Sequence, residues 1–124
     1  MCGIFAAMTR EGLPSDRCDH ALKLLEHRGP DGTGLWTSRD GQWTLGHTRL
    51  SIIGLRNGSQ PMTSPDGAVH MVVNGEFYGY REIRDRLRAK GYDFSTESDS
   101  EIALHLYHEP VSYTHLTLPT NREV

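Results

Sequence analysis

The chain has 124 residues, of which 36% are hydrophobic and 23% are charged, and its formal net charge is −3. This length suits one small globular domain with its own core, and so mild a charge argues against nucleic acid or an anionic membrane as a partner. No apolar run approaches the roughly 20 residues of a membrane span, and no basic segment precedes the first apolar run as in a signal peptide. We therefore expect a soluble, cytoplasmic protein whose cysteines, Cys2 and Cys18, stay reduced.

The first elements in chain order are a strand and a helix. The apolar run over residues 3–8 predicts a buried strand. Ser15 is a plausible N-cap for the helix that follows. The helix is predicted to end at Gly29, before Pro30. Its apolar residues recur at the spacing of one helix face, and they are Cys18, Ala21, Leu22 and Leu25.

A β-hairpin follows the helix. Residues 35–37 and 43–45 flank a turn containing Asp40-Gly41. We expect Trp36 and Trp43 to pack together across this hairpin.

The second half of the chain predicts a strand and two helices. The strand covers residues 68–73 and ends at the dipeptide Asn74-Gly75. The first helix carries apolar residues at positions 83 and 87 and stops at Gly91. The second begins at a capping box formed by Ser98 and Glu101.

Cys2 directly follows Met1. If Met1 is removed, one residue carries both a thiol and a free α-amine, whose pKa of roughly 7.7–8.0 lets it act as a base near neutral pH. The alternative is that Cys2 is a small residue at a frayed terminus. The neighbouring strand favours the catalytic interpretation, because a strand would hold the cysteine in place.

Four segments occur in one order along residues 1–109. They are residues 1–5 (MCGIF), residues 27–34 (HRGPDGTG), residues 46–53 (GHTRLSII), and residues 74–78 (NGEFY) followed by 98–101 (SDSE). Together they resemble the class II glutamine amidotransferases of the N-terminal-nucleophile hydrolase superfamily. The sequences of these segments, together with residues 58–62 (GSQPM), are similar to those of the asparagine synthetase branch.

The resemblance implies an α+β fold, an αββα sandwich of antiparallel sheets, truncated in this chain. It implies hydrolysis of L-glutamine to glutamate and ammonia, which would pass to a β-aspartyl-AMP intermediate on a synthetase domain of the same parent chain. That domain would need ATP and Mg²⁺, whereas this chain needs no cofactor and no metal. The parent is expected to be a homodimer.

The resemblance assigns the catalytic roles to Cys2, Asn74 and Gly75. Cys2 would attack the glutamine amide, and the Asn74 side chain with the Gly75 N–H would stabilise the oxyanion. Read without the other segments, Asn74-Gly75 is a common type I′ hairpin turn.

The resemblance also indicates which residues bind glutamine. Arg49 suits the α-carboxylate, Asp99 suits the α-ammonium, and Glu76 would lie near the reacting end. Leu50 and Ile53 complete the binding set with Asn74 and Gly75. The alternatives are a surface salt bridge for Arg49 and a helix-terminus acid for Asp99.

Two pairs of residues have less specific interpretations. Arg28 and Asp31 either order the loop over the glutamine pocket or form an internal ion pair. His105 and His108, one turn beyond Glu101, could bind a metal, but exposed helix histidines are far commoner.

The expected domain covers residues 1–110, and residues 111–124 are interpreted as an atypical tail, of cloning or reading-frame origin. The pyrophosphate-binding loop of a synthetase is missing, so the chain is interpreted as an N-terminal fragment that exposes apolar strands and is weakly active. Three other functions remain open. They are a glutaminase serving a different ATP-dependent amidation, a non-catalytic glutamine-binding module and an inactive fragment.

Overall fold

A computed structural model describes residues 1–51 and 58–109 of the chain. The fold is α+β, with antiparallel sheets and three α-helices in the described parts. In chain order the elements are β1 (Gly3–Met8), α1 (Ser15–Leu25), β2 (Gly32–Thr37), β3 (Trp43–Arg49), β4 (Met62–Thr63), β5 (His70–Met71), α2 (Tyr80–Ala89) and α3 (Glu101–His108).

The larger sheet has three antiparallel strands in the order β1-β3-β2. The strand predicted over residues 3–8 is present as β1, but it is not buried as predicted, since Ile4 and Met8 are exposed. The predicted hairpin is confirmed. Strand β3 lies between β1 and β2, with Gly3 opposite Thr48 and Thr37 opposite Thr44. The hairpin turn contains Gly41 at φ 75°, a conformation that glycine adopts without steric cost. β3 is therefore the central strand, and its C-terminal end lies beside the start of β1.

Helix α1 packs against one face of this sheet with the predicted stripe of residues. Cys18 is buried, and Ala21, Leu22 and Leu25 are half-buried. The predicted N-cap is wrong by one residue, because Ser15 already belongs to the helix and no side chain caps its start. The carbonyl of Pro14 accepts the first helical hydrogen bonds, from Arg17 and Cys18.

The end of this helix lies very close to β3. A 3₁₀ turn over Glu26–Arg28 follows α1, and Gly29 ends the helical path as predicted. A Cβ atom at Gly29 would overlap the backbone of Thr48 and Arg49. The absence of a side chain thus lets the loop before β2 pack directly on the backbone of β3.

We expect Gly29→Ala to lower the free energy of unfolding by about 3 kcal/mol, since backbone atoms cannot move aside for the added methyl group. Gly32→Ala is the matched control, because nothing lies within 4 Å of its Cβ position, and it should change stability by less than about 0.5 kcal/mol. Urea unfolding of the two variants measures the difference. Equal effects would mean that the close approach at Gly29 is unimportant.

The smaller sheet consists of β4 and β5, which pair Met62 with Met71 and Thr63 with His70. The predicted strand over residues 68–73 is thus limited to two residues. Residues 68 and 69, predicted as the start of this strand, belong to the preceding turn, since the Ser64 N–H donates to the Val69 carbonyl. The ring of Trp36 stacks on His70, with centroids 3.9 Å apart, so in the described residues its stacking partner is His70 and not the expected Trp43.

Helix α2 follows the prediction and ends before Gly91, which has φ 94°. The capping box predicted for α3 is wrong. The helix begins at Glu101, and Ser98 accepts a hydrogen bond from the Ser100 N–H without capping the helix. The Glu101 carboxylate instead reaches back to Ser95.

Part of one face of β1 and β3 is exposed. Ile4, Met8 and Trp43 keep 42%, 61% and 50% of their surface accessible. Among the described helices, none is long and apolar enough to cross a membrane.

Candidate active site

A cavity of about 370 Å³ opens between the end of β3 and the two connections that precede α2 and α3. Its walls include every predicted site residue that the structure describes. These residues are Cys2, Arg49, Leu50, Asn74, Gly75, Glu76 and Asp99. The predicted residue Ile53 lies outside the described residues.

Cys2 lies at the start of β1, next to the end of the central strand. The Leu50 N–H donates to the Cys2 Sγ over 3.3 Å, and the thiol in turn contacts the Leu50 carbonyl at 3.6 Å. Both contacts hold the sulfur against the backbone of Leu50. The half-buried thiol is therefore fixed against a backbone donor and open to the cavity.

The backbone around Cys2 is held by two further contacts. The Arg28 Nε donates to the Cys2 carbonyl at 3.1 Å. The Gly3 N–H donates to the Thr48 Oγ1 at 3.1 Å, and this buried hydroxyl donates to the Leu25 carbonyl at 3.0 Å. Sheet, helix and loop thus all fix the position of the cysteine, which is not a frayed terminus.

Arg28 and Asp31 each bind a backbone group and form no ion pair with each other in the described part of the chain. The Asp31 carboxylate accepts from the Ser51 N–H at 2.8 Å, and the Asp31 N–H donates to the Arg49 carbonyl at 2.9 Å. Both side chains therefore order the backbone around the cavity, which agrees with the loop-ordering alternative.

Asn74, Gly75 and Glu76 form the exposed wall of the cavity. They lie between β5 and α2, outside any strand or helix. The Phe77 N–H that follows them donates to the Asp99 Oδ2 at 2.8 Å. Asp99, which is 6% exposed, lies in the connection that precedes α3. This hydrogen bond therefore links that connection to the segment that carries Asn74.

The charges around the cavity are of both signs. Arg49 supplies a guanidinium, while Glu76 and Asp99 supply carboxylates. Asp99 is bound to one backbone N–H, and a carboxylate offers about four acceptor positions. The cavity therefore has the groups needed to bind a zwitterion.

His47 also lines the cavity and was not predicted as a site residue. It is 1% exposed, and its Nε2 has no hydrogen-bond partner. Burial lowers the pKa of His47, a hydrogen bond with the Val73 backbone acts in the opposite direction, and the charge of Arg49 lowers it further. The imidazole is therefore neutral at pH 7.

Other unpredicted residues of the cavity wall include Gln60, Tyr78, Ser98 and Ser100. Each falls inside or next to a motif that carries the resemblance. Their position in those motifs could have indicated them as site residues, but their side-chain chemistry did not distinguish them from the other residues of the motifs.

A second cavity, of about 480 Å³, lies beside α3 and contains Glu101 and His105. His105 is only 2% exposed, which corrects the expectation of an exposed histidine, and it packs edge-on against Tyr92 and tilted against Phe94. In the described ranges no three His, Cys, Asp or Glu side chains are placed to hold a metal ion.

The Glu101 carboxylate accepts four hydrogen bonds from backbone and side chains of Ser95 and Thr96. Burial alone raises the pKa of Glu101, but these hydrogen bonds outweigh it, so the pKa is lowered from the ordinary 4.5. The charged carboxylate therefore stabilises the loop that leads to Asp99.

We expect Glu101→Gln to lower the free energy of unfolding by roughly 2 kcal/mol at pH 7, because hydrogen bonds to a charged group are lost. A lowered folded-state pKa stabilises the fold above pH 4.5, and this stabilisation disappears as the pH falls through the lowered value. The difference between the two proteins should therefore shrink below pH 4.5. Urea unfolding across this range checks it, with exposed Glu82→Gln as control. A gap that is constant with pH would contradict this role of the charge.

The family model of the glutamine amidotransferase domain matches residues 1–115. A probable asparagine synthetase (glutamine-hydrolysing) of Dictyostelium discoideum is 42% identical over 113 residues, which cover 88% of this chain and 20% of that protein. The asparagine synthetase (glutamine-hydrolysing) 1 of Bacillus subtilis is 38% identical and is matched over 17% of its length.

A third relative, named Amidase chry2, from Gibberella zeae, is 41% identical over 120 residues, covering 86% of this chain and 18% of that protein. The chain thus spans about a fifth of the length of the curated relatives it matches. With a family model matched over most of its length, the chain belongs to the glutamine amidotransferase domain family.

Proposed function

We propose that this chain hydrolyses L-glutamine to glutamate and ammonia, with Cys2 as the nucleophile. The observation that carries the proposal is that the Cys2 thiol shares one cavity with a guanidinium, two carboxylates and the Asn74 amide. A nucleophile, an oxyanion donor and groups for both charged ends of an amino acid are together what amide hydrolysis of free glutamine needs.

In the proposed reaction, the Cys2 sulfur attacks the side-chain amide carbon of glutamine. The resulting oxyanion would be stabilised by the Asn74 side chain and the Gly75 N–H. The thiol proton passes through the α-amine of Cys2 to the amide nitrogen, the carbon–nitrogen bond breaks, and ammonia leaves. Water then hydrolyses the γ-glutamyl thioester, which releases glutamate and regenerates the thiol.

The proposed base is the α-amine of Cys2 itself, so Met1 must be removed first. While Met1 is attached, the nitrogen of Cys2 is an amide and cannot accept a proton at neutral pH. Met1 is 75% exposed, so an aminopeptidase can reach it.

Glutamine would be held by its charged end. Arg49 would bind the α-carboxylate through its planar guanidinium, and Asp99 would bind the α-ammonium. Leu50 and Glu76 would complete the pocket, as would Ile53.

The proposed architecture is the αββα sandwich of the N-terminal-nucleophile hydrolases, formed over residues 1–110, with residues 111–124 as an atypical tail. Its support is the layer order. Helix α1 packs on one face of the three-stranded sheet, Trp36 on the other face meets His70 of the two-stranded sheet, and α3 packs on β4.

The ammonia is proposed to serve ATP-dependent asparagine synthesis on a synthetase domain of a longer protein, which would bind ATP and Mg²⁺ and form a homodimer. The names of the relatives from D. discoideum and B. subtilis support this destination. The name Amidase chry2 supports a second candidate, in which the same glutaminase supplies a different amidation.

Release of glutamate and ammonia from glutamine tests the proposal, with asparagine as the control amide. We expect turnover of glutamine only. Binding of glutamine without turnover, in protein shown by intact mass to lack Met1, would instead identify a non-catalytic glutamine-binding module.

A further inference from the structure

The segment that carries Asn74 has no regular secondary structure to hold it. Strand β5 ends at Met71, and helix α2 begins only at Tyr80. An oxyanion donor must be placed accurately, since a misplacement of about 1 Å can cost a hundredfold in rate. Some other contact must therefore fix the backbone at Asn74.

Three side chains hold the backbone on either side of this segment, and one of them is His47, whose hydrogen bond with the Val73 backbone is described above. On the far side, Asp99 accepts from the Phe77 N–H at 2.8 Å. On the near side, the Gln60 Oε1 accepts from the Val73 N–H at 2.6 Å. Val73 immediately precedes Asn74, so the contact with Gln60 fixes the backbone one residue before the donor residue.

The position of Gln60 is itself determined by the large sheet. Gly34 of β2 has no side chain, and a Cβ atom there would overlap the backbone carbonyl of Gln60. The backbone of Gln60 thus rests directly on the sheet, while its half-buried side chain reaches the wall of the cavity.

We propose that Gln60 is a positioning residue for glutamine hydrolysis, which acts by holding the backbone N–H of Val73 so that the following residue, Asn74, meets the oxyanion. This role rests on the proposed function of the cavity. A glutamine suits the task because its amide oxygen accepts the hydrogen bond without placing a negative charge beside the developing oxyanion. The segment over residues 58–62, which contributes to the resemblance, would thus contain a residue that positions the site.

Gln60→Met in the full chain tests the proposal, because methionine has a similar size and cannot accept this hydrogen bond. Amide hydrogen exchange followed by NMR should show the Val73 N–H exchanging roughly tenfold faster, the loss expected for one hydrogen bond. Gln60→Glu keeps an acceptor oxygen and should leave the Val73 N–H protected. Exposed Ser59→Ala is the control and should change neither exchange nor turnover.

Glutamine kinetics then separate positioning from direct binding. In Gln60→Met we expect kcat to fall by roughly ten- to a hundredfold with KM changed less than about threefold. Gly34→Ala should reproduce both effects by displacing Gln60 from the sheet. A rise in KM at unchanged kcat would mean that Gln60 binds the substrate and would overturn the positioning role.

The failure of this inference and that of the proposed function differ in outcome. Unchanged exchange at Val73 in Gln60→Met overturns the role of Gln60 even when the chain hydrolyses glutamine. A chain without any turnover overturns the proposed function and with it the catalytic part of this role, whereas the exchange rates still decide whether Gln60 fixes the segment.

Discussion

Replacing Cys2 by alanine is expected to reduce glutamine hydrolysis by at least about 10⁴-fold, since removing a nucleophile eliminates the covalent route and leaves only binding and oxyanion stabilisation. Release of glutamate measures the effect. Cys18→Ala is the matched control, because Cys18 is buried against the carbonyl of Leu13 and is not part of the cavity wall. It should keep near-normal turnover.

The same substitution separates the two halves of the proposed reaction in a longer protein that carries an ATP-using synthetase domain. Cys2→Ala should remove synthesis from glutamine and spare synthesis from added ammonia. Turnover of glutamine by a folded Cys2→Ala variant would contradict the assignment of the nucleophile.

The second large effect is expected at Asn74. Asn74→Ala should lower kcat by roughly 10²–10³-fold, because an oxyanion donor acts mainly in the transition state. Arg49→Ala should mainly raise KM, by roughly tenfold or more, because the α-carboxylate is held throughout the reaction. Steady-state kinetics of both variants distinguish these roles.

Arg49→Lys is the conservative variant for this comparison. It keeps the charge but lacks the planar fork, so its KM should lie between those of the unchanged chain and Arg49→Ala. The reverse pattern, with kcat lost at Arg49 and KM raised at Asn74, would reject both assignments.

Local sequence patterns predicted the elements that depend on neighbouring residues. The run over residues 3–8, the turn at Asp40-Gly41 and the helix stripe from Cys18 to Leu25 all have short-range signals, and the structure has each of them. Motifs in a fixed order also indicated distant residues that the structure brings to one cavity, although they did not indicate His47 or Gln60.

The contacts that place the site could not be predicted in this way. Arg28 binds the Cys2 carbonyl, and Gln60 binds the Val73 N–H. Both contacts join a side chain to a distant backbone group, and such pairs leave no periodic pattern in the sequence. The prediction of a capping box was wrong for a related reason, since the Glu101 carboxylate accepts from the N–H groups of Ser95 and Thr96 in the preceding loop.

In the proposed reaction the Cys2 thiol, beside its own free α-amine, attacks glutamine. The most direct measurement is intact-mass and peptide mapping after reaction with the diazoketone analogue of glutamine, which alkylates a thiol that attacks at the amide position. We predict one adduct per chain, on Cys2 of protein that has lost Met1, and protection by excess glutamine. An adduct on Cys18, or equal labelling of chains that retain Met1, would contradict the assignment of Cys2 and its α-amine as nucleophile and base.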